Sequence, residues 1–190
     1  MEEDIDDYKG NGLTLKGPPF GLEKIYDYEC GGHHPIHLGD RLGKDGRYRV
    51  VHKLGNGGFA NIWLCRDLEC ETPKYVGLKI LMADASTNDC RELLPNKLKE
   101  TGLDREFGGK YIYLPLGQFQ IDGPNGSHFC FVYPVLGPRV SCILKEFEDP
   151  DRDLRKIALQ AVQGMACLHS HGICHGGWYS PFRRVVDVYL

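Results

Sequence analysis

The run Leu54-Gly-Asn-Gly-Gly-Phe-Ala-Asn-Ile62 limits the fold of this chain more than any other stretch. Gly55, Gly57 and Gly58 sit between two β-rich segments, Tyr48–Leu54 and Asn61–Arg66. The run therefore turns one strand into the next. It does not open a helix, as the glycine fingerprint of a dinucleotide site must. A glycine has no Cβ, so a hairpin built this way lets backbone N–H groups approach phosphate oxygens closely. Alone, the pattern fits an ordinary β-turn equally well, and the neighbouring residues have to decide.

Those neighbours continue a meander. Glu69 to Pro73 reads as a turn, and Tyr75–Leu81 as a third strand. Two further strands, Tyr113–Ile121 and His128–Tyr133, flank the turn Asp122-Gly-Pro-Asn-Gly126. Between the two sets, Ser86 to Leu94 reads as a short helix with N-capping residues at Ser86, Thr87, Asn88 and Asp89, interrupted by Pro95. Lys79 lies on the third strand between Leu78 and Ile80, and Glu92 follows thirteen residues later on the helix candidate. Each is unremarkable singly: a strand lysine commonly faces solvent, and a helix carboxylate commonly decorates a surface.

In combination they resemble the small lobe of a protein kinase. Gly55 and Gly57 match the first two glycines of the kinase loop G-x-G-x-x-G-x-V, Asn56 takes the variable position between them, and Gly58 and Phe59 fill the tip. Ala60 stands at the third glycine and Ile62 at the valine. Val76-Gly-Leu-Lys79 fits V-A-I-K, with Gly77 in place of alanine. The expected fold is α+β: a five-stranded antiparallel sheet plus one helix, followed by the first helices of a large lobe.

A closer resemblance lies in Gly31-Gly-His-His-Pro-Ile-His-Leu-Gly-Asp40, Gly46-Arg-Tyr-Arg-Val-Val-His-Lys-Leu-Gly55 and Phe59-Ala-Asn-Ile-Trp-Leu64, which are similar to the SR-protein kinases from about Tyr28 to Gly176. That family implies Mg-ATP as cofactor and transfer of phosphate to serines of Arg/Ser-rich proteins. It also implies an adenine pocket lined by Leu54, Ile62 and Gly77, with Tyr133 at the gatekeeper position and Pro134-Val-Leu-Gly137 as the hinge. Leu136 would offer its N–H and C=O to adenine, and Pro134 would keep its carbonyl available. Lys79 would meet the α- and β-phosphates, held by Glu92, for which Glu100 and Glu106 are rivals.

The strongest helix pattern follows. Leu154, Ile157, Ala158, Ala161, Val162, Met165 and Leu168 form one apolar stripe, with Asp151 or Asp153 as cap and Gly172 as stop. In kinases this helix leads to the catalytic loop H-R-D-x-x-x-x-N. Here His175 matches the histidine, Gly176 replaces the arginine, and Gly177 occupies the catalytic aspartate position. Phe182 stands where the asparagine belongs, and D-F-G does not occur, so the protein ligands for Mg are absent. The chain is expected to be inactive in phosphoryl transfer.

The expected organisation is an acidic tail over 1–27, a lead-in over 28–47, the small lobe over 48–137, the start of a large lobe over 138–177, and an unrelated tail over 178–190. The abrupt loss of pattern at Gly177 reads as a retained intron or misjoined exon, an idea that an uninterrupted reading frame in every transcript would defeat. The alternatives to a kinase are a non-catalytic nucleotide-binding or interaction module, or a non-functional fragment.

Charge and composition narrow the partners. Lys and Arg total 23 against 26 Asp and Glu, a net charge of −3, so no overall basic field draws nucleic acid. No run of 18 apolar residues exists, and the N-terminus is acidic where a signal peptide would be basic, so no membrane partner is expected and the location is cytoplasmic or nuclear. Eight scattered cysteines read as buried or free thiols. Cys167, His169, His171, Cys174 and His175 are dense enough to suggest zinc, but i and i+2 on a helix end do not face each other.

Overall fold

The computed structural model describes residues 25–93, 102, 107–137, 140 and 144–173. The expectations for the acidic tail, Pro95, Glu100, Glu106, the Gly176–Gly177 break and residues 178–190 lie outside these.

Six antiparallel strands form one sheet in the order β1-β2-β3-β4-β6-β5. They are β1 Arg41–Leu42, β2 Tyr48–Gly57, β3 Ala60–Asp67, β4 Lys74–Leu81, β5 Gly117–Gly123 and β6 Gly126–Pro134. The five expected strands are all present. The additional one, β1, comes from the lead-in and pairs Arg41 with Arg49 and Leu42 with Tyr48. Two residues are too few to show an alternating pattern in sequence. β5 starts at Gly117 and not at Tyr113, and a 3-10 turn, Gly109–Tyr111, precedes the connecting residues.

Alternation along each strand gives the sheet two different faces. Val76, Leu78 and Ile80 point to one, where they join Tyr48, Val50, Trp63, Cys65, Cys130 and Val132 in the main core. Ile36 of the lead-in covers this face. Desolvation there pushes the Cys65 thiol up to about 12 and Cys130 further still. Burying Leu78 completely contributes roughly 2 kcal/mol. Gly77, Lys79 and Leu81 point to the opposite face, where Ala60, Leu81 and Phe131 form a second cluster with Cys90, Leu93 and Tyr133 against it.

The segment after β4 departs from expectation. Among the described residues it is a series of turns ending in the 3-10 turn Arg91–Leu93, not a helix from Ser86. Ser86 is not a helix cap. Its hydroxyl donates to Met82 O (2.8 Å) and accepts from Phe129 N–H (2.9 Å), which spends its capping capacity on the turn.

The lead-in is bound to the far end of the sheet through Asn125, in the β5–β6 turn. The Asn125 amide donates to Tyr28 O and His33 O, each at 2.6 Å, and Asn125 O accepts from Gly31 N–H at 2.8 Å. Ala83 and Asp84 N–H donate to Gly32 O and Gly31 O at 3.0 and 2.9 Å. Gly31 has φ +86°, and a Cβ on Gly32 would lie 2.3 Å from Asp27 O, so both glycines are demanded by the path.

Beyond the sheet, α1 covers Pro150–Ser170. Its cap is Asp149, whose carboxylate accepts from Arg152 N–H at 3.1 Å, and Pro150 opens the first turn. The expected caps, Asp151 and Asp153, sit inside that turn, where their charge still suits the helix dipole. Gly172, at φ +72°, ends the helix as expected. Among the described residues, the contacts that hold α1 fall on its C-terminal half. A Cβ on Gly108 would meet Gln163 O at 2.3 Å and Cys167 Cβ at 2.6 Å, and Leu168 packs with Ile112.

Candidate functional site

The second face of the sheet carries the site. Strand register sets its side chains in two rows: Ile62, Lys79 and Phe131 lie side by side across β3, β4 and β6, and Leu64, Gly77 and Tyr133 form the next row. These rows line a cleft of about 190 Å³ bounded by Leu54, Ile62, Gly77, Lys79, Tyr113 and the segment Tyr133–Leu136. A wider hollow of about 680 Å³ adjoins it beyond Pro134 and Val135, but that hollow is open and lined largely by apolar groups. The smaller cleft is lined by Lys79, one member of an ionisable pair, and the chemistry belongs there.

That pair is Lys79 and Glu92. Lys79 Nζ lies 2.5 Å from Glu92 Oε1, with both side chains a little over a quarter exposed. The 3-10 turn delivers the carboxylate that the expected helix was to deliver. Burial raises the Tyr133 phenol well above its usual range, and the charge of Glu92 adds to the effect.

The glycine hairpin closes with Gly57 paired to Ala60, leaving Gly58 and Phe59 at the tip. The Phe59 carbonyl accepts from Met82 N–H at 2.9 Å, which pins the tip to the end of β4, three residues beyond Lys79. Phe59 itself is 67% exposed. Added Cβ atoms at Gly55 and Gly58 would meet nothing within 4 Å, and at Gly57 only Ala60 O at 3.8 Å. None of the three has a positive φ. Neither packing nor backbone conformation demands glycine here, so the open backbone is a feature available to a ligand. Asn56 pairs with Asn61 along the same hairpin. At Gly77 an alanine methyl would find only ordinary contacts, with Pro134 O at 3.8 Å and Tyr133 O at 3.9 Å.

Val135 lines the cleft from within the expected hinge, and Tyr113 lines it although no site role was expected of it. Tyr113 changes one expectation. Its hydroxyl donates to the Pro134 carbonyl, so that carbonyl already has a donor and is not simply available. Its ring stacks on Tyr133, with centroids 4.8 Å apart and planes 17° from parallel. The sequence signal was an aromatic residue in a β-rich stretch, which gives no hint that the chain bends there.

Among the described residues no group of three His, Cys, Asp or Glu side chains could hold a metal ion. The described part of the dense Cys/His stretch is occupied otherwise: His171 Nδ1 lies 2.9 Å from the Cys167 carbonyl at the helix end. No helix among the described residues is long and apolar enough to cross a membrane.

Known proteins give these features a context. No family model matches the chain. The serine/threonine-protein kinase SKY1 of Saccharomyces cerevisiae is 32% identical over 162 residues, 80% of this chain and 21% of that protein. Protein kinase dsk1 of Schizosaccharomyces pombe is 32% identical over 162 residues, 80% of this chain and 29% of that one. Human SRSF protein kinase 3 is 32% identical over 152 residues, covering 76% and 26%. The chain thus spans between a fifth and three tenths of the length of these relatives. A crystal structure of a kinase domain superposes with a TM-score of 0.49 at 18% identity, over 73% of this chain and 39% of that one. Over about four fifths of its length the chain is a homologue of the SR-protein kinases, and it carries the protein-kinase small-lobe fold.

Proposed function

We propose that the chain binds an adenine nucleotide, as Mg-ATP, under the sheet, and that in its 190-residue form it does not transfer phosphate. The observation that carries the first half is the Lys79–Glu92 pair beside a cleft roofed by Leu54, Ile62 and Gly77. A lysine pointing into a cleft and steadied by a carboxylate is set to meet phosphate oxygens, while the glycine hairpin leaves room for them. Leu54, Ile62 and Gly77 offer an apolar slot for a purine, and Leu136 offers its backbone N–H and C=O at the edge. Bound Mg would neutralise phosphate charge, held chiefly by the phosphates themselves, given the described side chains.

The second half rests on Gly177. Phosphoryl transfer relies on a positioned acceptor carboxylate and on metal charge, and a glycine supplies no carboxylate. The substrate class suggested by the relatives, serines of Arg/Ser-rich proteins, would then belong to a form that carries the complete catalytic loop. Cytoplasm or nucleus is the location this reading favours.

Calorimetric titration with Mg-ATP tests the binding half. We expect saturable binding that Lys79→Ala weakens at least tenfold, and equal heats for wild type and variant would sink the reading. Incubation with labelled ATP and an Arg/Ser-repeat peptide tests the other half, with no incorporation above a no-protein control as the expected result.

A further inference from the structure

The hinge side of the cleft already holds a side chain, and it is one that does a purine's work. Tyr113 donates its hydroxyl proton to the Pro134 carbonyl. Its ring lies against Tyr133 in a near-parallel stack, and both rings line the same space as Leu54, Ile62 and Gly77. A flat ring with a donor aimed at a hinge carbonyl is what a 6-aminopurine would present at that spot. The cleft that remains, about 190 Å³, falls short of the roughly 300 Å³ at which pockets for small ligands begin. The residue stands between the 3-10 turn Gly109–Tyr111 and the start of β5 at Gly117, in neither element.

We propose that Tyr113 is a built-in plug of the nucleotide cleft, an autoinhibitory side chain that competes with the purine for Pro134 O and must swing away before a nucleotide seats. The proposal rests on the nucleotide-site reading above. Its energetic logic is a population shift: apparent affinity is the intrinsic affinity scaled by the fraction of molecules with the ring out. Leaving costs the ring at least its hydrogen bond to Pro134 O and its stack on Tyr133, which together hold the open fraction at roughly a tenth or less.

The test compares Mg-ATP dissociation constants for the whole chain and two variants by calorimetry, with thermal unfolding of each protein alone as a check on folding. Tyr113→Val removes ring and hydroxyl, and should tighten binding roughly tenfold or more. Tyr113→Phe keeps the ring and the stack, so it should fold like the wild type. Losing only the hydrogen bond, it should tighten binding roughly threefold to fivefold. Binding by Tyr113→Val when the wild type shows none also supports the plug. If wild type binds Mg-ATP and Tyr113→Phe binds no tighter, the plug is overturned while the nucleotide site survives. If wild type, Tyr113→Phe and a folded Tyr113→Val all fail to bind, the nucleotide site itself is wrong and the plug falls with it.

Discussion

The sheet and α1 are stabilised in opposite ways. The sheet encloses its own apolar groups: Leu78, Cys65, Cys130 and Phe131 are fully buried, and each strand contributes to a core on one face or the other. The helix does not. Of its apolar stripe, Leu168 is buried at the C-terminal end, while Val162 is 60% exposed, and Leu159 beside the stripe is 59% exposed. A sheet with two covered faces carries its stability internally. A helix held, among the described residues, through its C-terminal half depends on the quality of that contact. The difference teaches where this chain is robust and where a small change detaches a whole element.

The comparison can be broken most severely from the sheet side. Leu78→Ala, in the middle of β4, should lower stability by about 3 kcal/mol, read as a shift of the urea midpoint with the slope unchanged. A next, smaller effect should come from the rim of β3. Arg47 reaches Asp67 through two hydrogen bonds, Nε to Oδ1 at 2.8 Å and Nη2 to Oδ2 at 2.7 Å, with the Asp67 side chain almost wholly enclosed. The guanidinium holds the Asp67 carboxyl below the usual range. A depressed carboxylate stabilises the fold at pH above its unfolded value near ~4 and loses that contribution as pH falls. Arg47→Ala should therefore lose roughly 2 kcal/mol at neutral pH, discounted for the partial exposure of Arg47, and progressively less as pH falls below about 4. A gap that stays constant with pH would refute the charge origin.

On the helix side, Gly108→Ala should lose on the order of 1–2 kcal/mol through its collision with Gln163 O and Cys167 Cβ. Amide exchange should quicken over residues 163–170 and stay unchanged in β3 and β4; equal quickening in both would erase the distinction drawn here. Asp149→Ala, which removes the cap, should lose about 1 kcal/mol, visible as faster exchange in the first turn of α1. Smallest of all, Leu159→Ser should change stability by less than about 0.5 kcal/mol, since the side chain is already in water.

What the sequence disclosed follows the same division between pattern and particular geometry. Alternation and turn residues made the five long strands legible, and the order of hairpin, Lys79 and Glu92 made the ion pair legible. Periodicity cannot see a 3-10 turn, however, and Ser86 has the same chemistry whether it caps a helix or ties a turn to β6, so the stretch from Ser86 reads as a helix in sequence although it forms turns. Asp149 was missed as the cap although Pro150 beside it is the usual mark of a first helical turn. Tyr113 and Pro134 illustrate the harder case. They are 21 residues apart, and a side-chain hydroxyl meeting a distant carbonyl leaves no trace in local composition.

Asn125 has a reach out of proportion to its size. Its turn joins β5 to β6 and holds the lead-in at Tyr28–His33, and the lead-in in turn receives the strap at Ala83–Asp84 that goes on to carry Glu92. Gly126 beside it, at φ +129°, leaves space that a Cβ would take from Ala83, 2.7 Å away. An inserted residue or a bulkier neighbour at this rim would be passed along the strap as a displacement, so the alignment of an ion pair across the sheet is governed by a loop that never touches it.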